Sequence, residues 1–384
     1  MRIDNVGYAV VDRNQVAVDP IAAQANALRE ALRTIPIAQT FIVGALPGQT
    51  VVIRYPRFAE MPEGQLADSV EREAGQNIPY ERSEVFLDWT PLETVTEGGK
   101  SMVKVLLVAA RYEVIESRVQ VASESEIAFS ALTVDSLALA DAAEGCDFLR
   151  VGESVAMVNL GAQTTSIHFI KDSRSNFIRD VSWGSRELVQ AISKARRMDV
   201  AEAERVLMTF GNGKQSVESA VPPPLPAHEP PQPEPAPAPQ PPVGGNPLDP
   251  LEDELGGLGG LDSLGSAPTA KPAAQQAPVE EKDLGEILGG PLARLVSEIR
   301  RSFDYYEQQL YEHPVDRMIV SGGVAHFPLL RQTLADELGV PVELADPTRG
   351  ALVMGPDHAV GRLIEQPAQY MVAVGLAARG MAEL

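Results

Sequence analysis

Apolar residues along this chain alternate, then step by three and four, then alternate again. Residues 5–11 alternate and predict a strand. Ile21, Ala25, Leu28, Leu32 and Ile35 recur at helical spacing and mark one face of a helix. Pro36 follows and helps to stop it, because proline offers no N–H to a continuing helix. Residues 40–46 and 50–55 predict two strands joined by Pro47-Gly48, a turn pair. Residues 65–76 predict a helix with Leu66, Val70 and Ala74 on one side. Strands follow at 85–89 and 102–110, the second a continuous apolar run containing Lys104. A helix at 112–123, a strand at 128–134 and a helix at 136–143 complete this part.

A second series starts at Val155. A strand runs into a tight turn at Gly161, a second strand leaves it, and a third is predicted at 176–182. Helices follow at 187–195 and from Asp199 through Leu207, the latter opened by an Asp199-x-x-Glu202 capping box. Leu292, Leu295, Ile299, Phe303, Tyr306 and Leu310 mark one face of a helix over 292–311. Then come a strand at 318–320, a helix at 328–338, a strand at 342–344 and a final helix at 370–379.

Residues 212–282 differ in kind. Between Val221 and Pro250 there are 14 prolines among 30 residues, and a Gly/Leu/Asp stretch and an Ala/Pro/Gln stretch follow. Such composition buries too little apolar area to offset ordering entropy, so a disordered insertion is expected. The acidic piece after Pro250 would serve either as inert linker or as a short docking motif.

Net charge of −21 argues against nucleic acid and against direct contact with anionic lipid, and favours basic segments of partners. A single cysteine, Cys146, excludes a disulfide framework and points to a reducing compartment. No run of 18 apolar residues is present, and the first residues contain no signal-peptide apolar core.

Two stretches could carry chemistry. Asn159-Leu-Gly161-Ala162-Gln163-Thr164-Thr165 joins two strands. Gly161 would let backbone N–H groups approach a phosphate, and the two threonines would add hydroxyl donors. An ordinary hairpin turn uses the same residue types. Ser321-Gly322-Gly323 lies between a strand and a helix, where a base or sugar docks in α/β folds. A plain Gly-rich connection reads the same way. Glu298, Arg301, Ser302 and Tyr305 fall near one helix face; a carboxylate there could bind ribose hydroxyls and an arginine could stack on a base. A solvated charged face is the alternative. Gly211-Asn-Gly-Lys-Gln-Ser216 does not meet the P-loop pattern, because Gln215 separates Lys214 from Ser216. The five histidines show no metal-ligand spacing, and no Gly-x-Ser-x-Gly elbow occurs.

Taken in order, several pieces resemble the PilM family of type IV pilus assembly proteins, actin-like relatives of the division protein FtsA. They are Met61–Leu66 with Glu71-Arg-Glu-Ala-Gly-Gln-Asn-Ile-Pro-Tyr80, residues 151–170, Ser297-Glu-Ile-Arg-Arg-Ser-Phe-Asp-Tyr-Tyr306, Ser321-Gly-Gly323, and Tyr370-Met-Val-Ala-Val-Gly-Leu-Ala-Ala-Arg-Gly380. The resemblance implies an α/β actin-like two-lobed fold, with ribonuclease H-like sheets, flanking helices and an inserted α+β subdomain. It divides the chain into a first-lobe subdomain (1–61), the inserted subdomain (62–140), a second-lobe subdomain (141–211), the Pro-rich insertion (212–282), the completion of the second lobe (283–360) and a C-terminal helix returning to the first lobe (361–384).

It further implies ATP with Mg²⁺ in the cleft, held by Asn159, Gly161, Ala162, Gln163, Thr164, Thr165, Gly184, Ser185, Glu298, Arg301, Ser302, Ser321, Gly322 and Gly323. It implies a groove between the first-lobe and inserted subdomains for the N-terminal cytoplasmic peptide of the membrane protein PilN. The pilus motor ATPases and platform protein would be further partners in pilus biogenesis and twitching motility. The protein would be cytoplasmic, held at the inner membrane through its partners. The family's first phosphate loop has no counterpart after Met1 here, and Asn159 stands where the second loop usually carries Asp. A neutral amide cannot act as a base and anchors hydrated Mg²⁺ less well; one lost charge-assisted contact costs roughly 1.5–3 kcal/mol. Nucleotide binding in a structural role is therefore expected rather than turnover. The alternatives are an active actin-fold ATPase or sugar kinase, and the cytoplasmic domain of a type II secretion L protein, which shares the fold.

Overall fold

Two aspartates start the first helices. Asp12 caps α1 (Arg13–Val16), and Asp19 accepts from the N–H groups of Ile21 and Ala22 to cap α2 (Pro20–Leu32). Pro20 occupies the first turn, where its missing N–H costs nothing. The strand expected at 5–11 does not form. Only β1 (Arg2–Ile3) pairs, in parallel with β13 (Val353–Met354), and no described strand offers 5–11 a ladder. Tyr8 lies instead beneath the Arg362 guanidinium, 4.3 Å from its ring centroid. The computed structural model describes residues 1–38, 40–211, 283–310, 312–350 and 352–383. The expected disordered insertion, 212–282, lies outside them.

The first lobe centres on β2 (Val43–Leu46), paired in parallel with β7 (Ala131–Val134). The segment between them forms an antiparallel sheet of β3 (Val51–Arg54), β4 (Arg57–Ala59), β5 (Val85–Glu97) and β6 (Lys100–Arg111). β6 is central: β5 runs along one side, and β3 and β4 lie end to end along the other. α3 (Glu63–Asn77) presses Leu66, Val70 and Ala74 onto Val105, Leu107 and Ala109 of β6. The β5–β6 hairpin is longer than expected from alternation, because Pro91 and a bulge before Glu93 interrupt the pattern without ending the pairing. α4 (Tyr112–Glu124) returns the chain to β7, and α5 (Asp135–Gly145) follows. The last helix, α11 (Met371–Ala382), packs on α5 so closely that a Cβ at Gly375 would sit 1.7 Å from the Ala138 carbonyl oxygen.

The second lobe is a five-stranded sheet. β8 (Ser154–Leu160), β9 (Thr165–Lys171) and β10 (Arg174–Val181) form an antiparallel meander, and β11 (Arg317–Gly322) and β12 (Val342–Leu344) add in parallel, giving the order β10-β9-β8-β11-β12. β8 and β11 are buried on both faces, which explains their near-continuous apolar sequences. α6 (Ser185–Arg196), α7 (Val200–Gly211), α8 (Leu284–Asp304) and α9 (Pro328–Leu338) supply the covering core with Leu188, Ile192, Leu207, Leu295, Ile299 and Leu334. The expected helix at 292–311 starts earlier, at Leu284, and accommodates Pro291. It ends in a widened π turn at Tyr305–Gln309, which delivers Tyr306 onto Phe169 in a 4.3 Å stack. α10 (Asp357–Glu365), which the sequence reading missed, leads into α11.

Candidate nucleotide cleft and lobe junction

β8 and β11 end side by side. Ser321 pairs with Asn159 and Gly322 with Leu160, so the 161–164 turn and the Ser-Gly-Gly corner occupy one end of the sheet. Gly161 N–H donates to the Thr164 carbonyl (3.1 Å) and closes the turn. The start of α6 supports it from behind: Ser185 N–H donates to the Gly161 carbonyl (2.9 Å) and Arg186 N–H to that of Ala162 (3.0 Å). Gly184 is required there, since a Cβ would fall 2.4 Å from the Ala162 backbone. The Gln163 amide, with its carbonyl turned toward the guanidinium, accepts from both terminal nitrogens of Arg186 at 3.0 and 2.9 Å. This leaves the N–H groups of Ala162, Gln163 and Thr164, and the Thr164 hydroxyl, with no partner among the described residues. Consecutive free donors in a tight turn are the kind of group that an anion takes.

Not every residue expected at this site reaches it. Thr165 belongs to β9, is fully buried, and donates its hydroxyl to the Trp183 carbonyl at 2.9 Å. Its hydroxyl serves the fold and has none to spare for a phosphate. Ser321 is likewise buried and donates to Asn159 Oδ1 at 3.2 Å, so the two site residues engage each other. Gly322 has φ +101, and a Cβ there would meet the Leu160 carbonyl at 2.3 Å; its role is close strand packing. Gly323 faces open space.

Glu298, Arg301 and Ser302 lie on α8. Glu298 pairs with Arg301 at 2.9 Å and lies 3.9 Å from Arg179 of β10, the outer strand on the opposite side of β8 from β11. Ser302, expected near one helix face with Glu298 and Arg301, is buried and donates to the Glu298 carbonyl at 2.8 Å.

The junction between the lobes carries polar groups that sequence reading did not find. Asp135, at the start of α5, accepts from Gly48 N–H at 2.9 Å and from Ser136 N–H at 2.7 Å. A Cβ at Gly48 would lie 2.7 Å from Asp180 Oδ2 and 3.1 Å from Asp135 Oδ1, so the two carboxylates flank this glycine. Burial, then the neighbouring Asp180 charge, pushes Asp135 up to about 6, against the pull of the two N–H donors and Arg118. Burial also raises Asp180.

Beside them, His168 is fully buried, which lowers its pKa to about 4 and keeps it neutral. The Ser136 carbonyl can only accept, so His168 Nδ1–H donates to it (2.8 Å). Nε2 must then accept from the Ser175 hydroxyl (2.8 Å), whose oxygen in turn accepts from Tyr55 Oη–H (2.6 Å). This directed chain ties α5 to the outer edge of the second-lobe sheet and to the β3–β4 connection. No local pattern signals it, because its members are 120 residues apart at the Tyr55–Ser175 bond.

A cleft of about 810 Å³ opens where the inserted subdomain faces β10 and the end of α8. Among the described residues no group of three or more His, Cys, Asp or Glu could hold a metal ion, and no helix is long and apolar enough to cross a membrane.

The family model for type IV pilus assembly protein PilM matches residues 1–221 and 269–381. The chain is similar to the structure of the PilM-PilN type IV pilus biogenesis complex, with 21% identity and a TM-score of 0.65, over 94% of this chain and 86% of that one. That likeness establishes an actin-like fold. Weaker likenesses extend to ethanolamine utilization protein EutJ from Carboxydothermus hydrogenoformans (12% identity, TM-score 0.39, 69% of this chain and 61% of that one). Another is MreB 5 of Spiroplasma citri bound to AMPPNP (12% identity, TM-score 0.38, 69% and 63%). With residues 1–221 and 269–381 matched in order, the chain belongs to the type IV pilus assembly protein PilM family.

Proposed function

We propose that the protein is a cytoplasmic actin-like platform of the type IV pilus inner-membrane assembly. It binds the N-terminal cytoplasmic peptide of a PilN-type membrane partner between its first-lobe and inserted subdomains. Through that partner it stays at the inner membrane and links to the pilus motor ATPases and platform protein. Its acidic surface favours a basic tail on the partner.

The observation that carries the nucleotide part of this reading is the row of free N–H groups at Ala162, Gln163 and Thr164 beside the Ser321–Gly323 corner. These donors and the Thr164 hydroxyl suit phosphate oxygens of ATP. Asn159 suits Mg²⁺ poorly, because it is neutral and its carbonyl already accepts from Ser321. No carboxylate stands in the 161–164 turn to act as a base. Nucleotide therefore acts by favouring the closed arrangement of the lobes, as any ligand does that binds one state better.

A phosphate-release assay with Mg-ATP on the purified chain tests this against the enzyme reading. Release at background is expected. Steady release well above background that disappears in Thr164→Ala would establish an active ATPase and overturn the platform reading.

A further inference from the structure

The strand registers of the second lobe put one polar residue from each of four strands in a single row. Ser321 of β11 pairs with Asn159 of β8, Asn159 with Ser166 of β9, and Ser166 with Asp180 of β10. The row lies one residue before Leu160 and Thr165, which flank the 161–164 turn. Side chains alternate along a strand, so Ser166 shares a face with His168, which bonds the Ser136 carbonyl of α5. The row therefore faces the start of α5. There Asp135 stands across Gly48 from Asp180. A Cβ at Gly48 would lie 3.1 Å from Asp135 Oδ1 and 2.7 Å from Asp180 Oδ2, so the two oxygens are no farther apart than those lengths laid end to end.

Three features of this junction suit a hydrated cation and serve the fold poorly. The two carboxylates repel each other; among the described residues Arg118 is the cation that acts on Asp135, and none acts on Asp180. Any side chain at position 48 would put a Cβ between them, and glycine keeps that place clear. Two hydroxyls beside the carboxylates, Ser136 Oγ and Ser166 Oγ, meet no hydrogen-bond partner. Both residues are buried, Ser136 at 0% exposure and Ser166 at 8%. Ser166 still stands near enough to Asp180 to ease its charge. A buried hydroxyl without a partner costs about 1–3 kcal/mol, which a water held in place there would offset. Two carboxylates are too few to strip Mg²⁺ of its water. They are the usual number for an ion that keeps several waters and completes its shell with phosphate oxygens.

We propose that Asp135 and Asp180 hold the hydrated divalent cation that accompanies a nucleotide's phosphates, and so supply from α5 and β10 the charge that Asn159 lacks. The inference rests on the nucleotide reading of the 161–164 turn and is independent of the tail groove. Phosphate oxygens on the free donors of that turn and carboxylates in the row beside it share one cation, and the Ser136 and Ser166 hydroxyls accept from its waters. The cation also cancels the repulsion between α5 and β10, which favours the closed arrangement of the lobes.

The test titrates fluorescent ATP with the full chain, read by anisotropy, once with Mg²⁺ and once with EDTA. Affinity should be about tenfold or more higher with Mg²⁺, the least that one charge-assisted contact is worth. Asp135→Asn combined with Asp180→Asn, which keeps size and removes both charges, should lose that gain, with thermal unfolding as the check that the variant is folded. Gly48→Ala, which puts a Cβ between the carboxylates, should weaken the gain by a separate route. Thr164→Ala should lower affinity alike in Mg²⁺ and in EDTA, because its hydroxyl meets phosphate. Mn²⁺, which takes the same oxygen ligands, gives a second readout: with ATP present, the chain should enhance water-proton relaxation by Mn²⁺ and the double variant should not. Equal affinity in Mg²⁺ and EDTA would overturn the cation site and leave the nucleotide reading standing. A gain that persists in the folded double variant would overturn the assignment to Asp135 and Asp180. No ATP binding under either condition would overturn both readings.

Discussion

Asp135→Asn should make the protein more stable at neutral and alkaline pH. Asp135 is held between Gly48, Ser136 and Asp180, and its pKa is raised from 3.8 to about 6. A carboxyl group that holds its proton more tightly folded than unfolded favours the folded state most at low pH. That contribution is lost as pH rises through about 6. A shift of about two units corresponds to about 3 kcal/mol of lost stability at pH 8, an upper figure for a partly hydrated group. Asparagine keeps the acceptor for Gly48 N–H and removes one of two adjacent charges. Urea unfolding from pH 4 to 8.5 should show the two proteins converging near pH 4, with the variant ahead by 1–3 kcal/mol at pH 8 (about the figure above, discounted for solvent). A gap that does not change with pH, or a variant less stable at pH 8, would refute this account of the junction.

Other perturbations separate the remaining layers of the structure. His168 has its pKa lowered to about 4, so the unfolded chain takes up that proton first, and stability should fall by about 1.4 kcal/mol per pH unit on acidification below about 6.5. Asp135 opposes this slope, so Asp135→Asn should expose it and Asp135→Asn with His168→Gln should remove it, as read by thermal unfolding. Tyr55→Phe should cost about 0.5–1.5 kcal/mol by leaving the Ser175 oxygen without its donor. Leu295→Ala, at a fully buried position of α8, should cost about 2–5 kcal/mol in denaturant unfolding. Gly322→Ala should destabilise by at least about 2 kcal/mol and lower nucleotide affinity, because its Cβ would strike the Leu160 carbonyl.

What could be read in advance follows from which forces are local. The helix Pro328–Leu338 matches its expected range to the residue, because Pro328 sets its start and Gly339, in the left-handed region, sets its end. Asp199 caps Glu202 N–H as the capping box required. That the 161–164 turn and Ser321–Gly323 share one cleft was implied by the family resemblance and by no local signal, and the parallel β8–β11 register brings them to one end of the sheet. Side-chain commitments were less legible. The sequence offers Thr164 and Thr165 as equals, and only the approach of Trp183 decides that Thr165 is internal. Gly289, Gly290 and Pro291 read as a break, yet Leu284, Leu288 and Leu292 are all buried and the tertiary core carries α8 through them. The lobe junction and the cleft are assembled from segments near 50, 135, 175 and 310, so no window of sequence contains them.

The most direct measurement of the central claim is an anisotropy titration of a labelled PilN-type N-terminal peptide with the full chain. The platform account expects saturable binding with Kd below about 100 µM, equivalent to about −5.5 kcal/mol. No saturation at 100 µM peptide (about the same limit) would contradict the account, whatever the nucleotide experiments show.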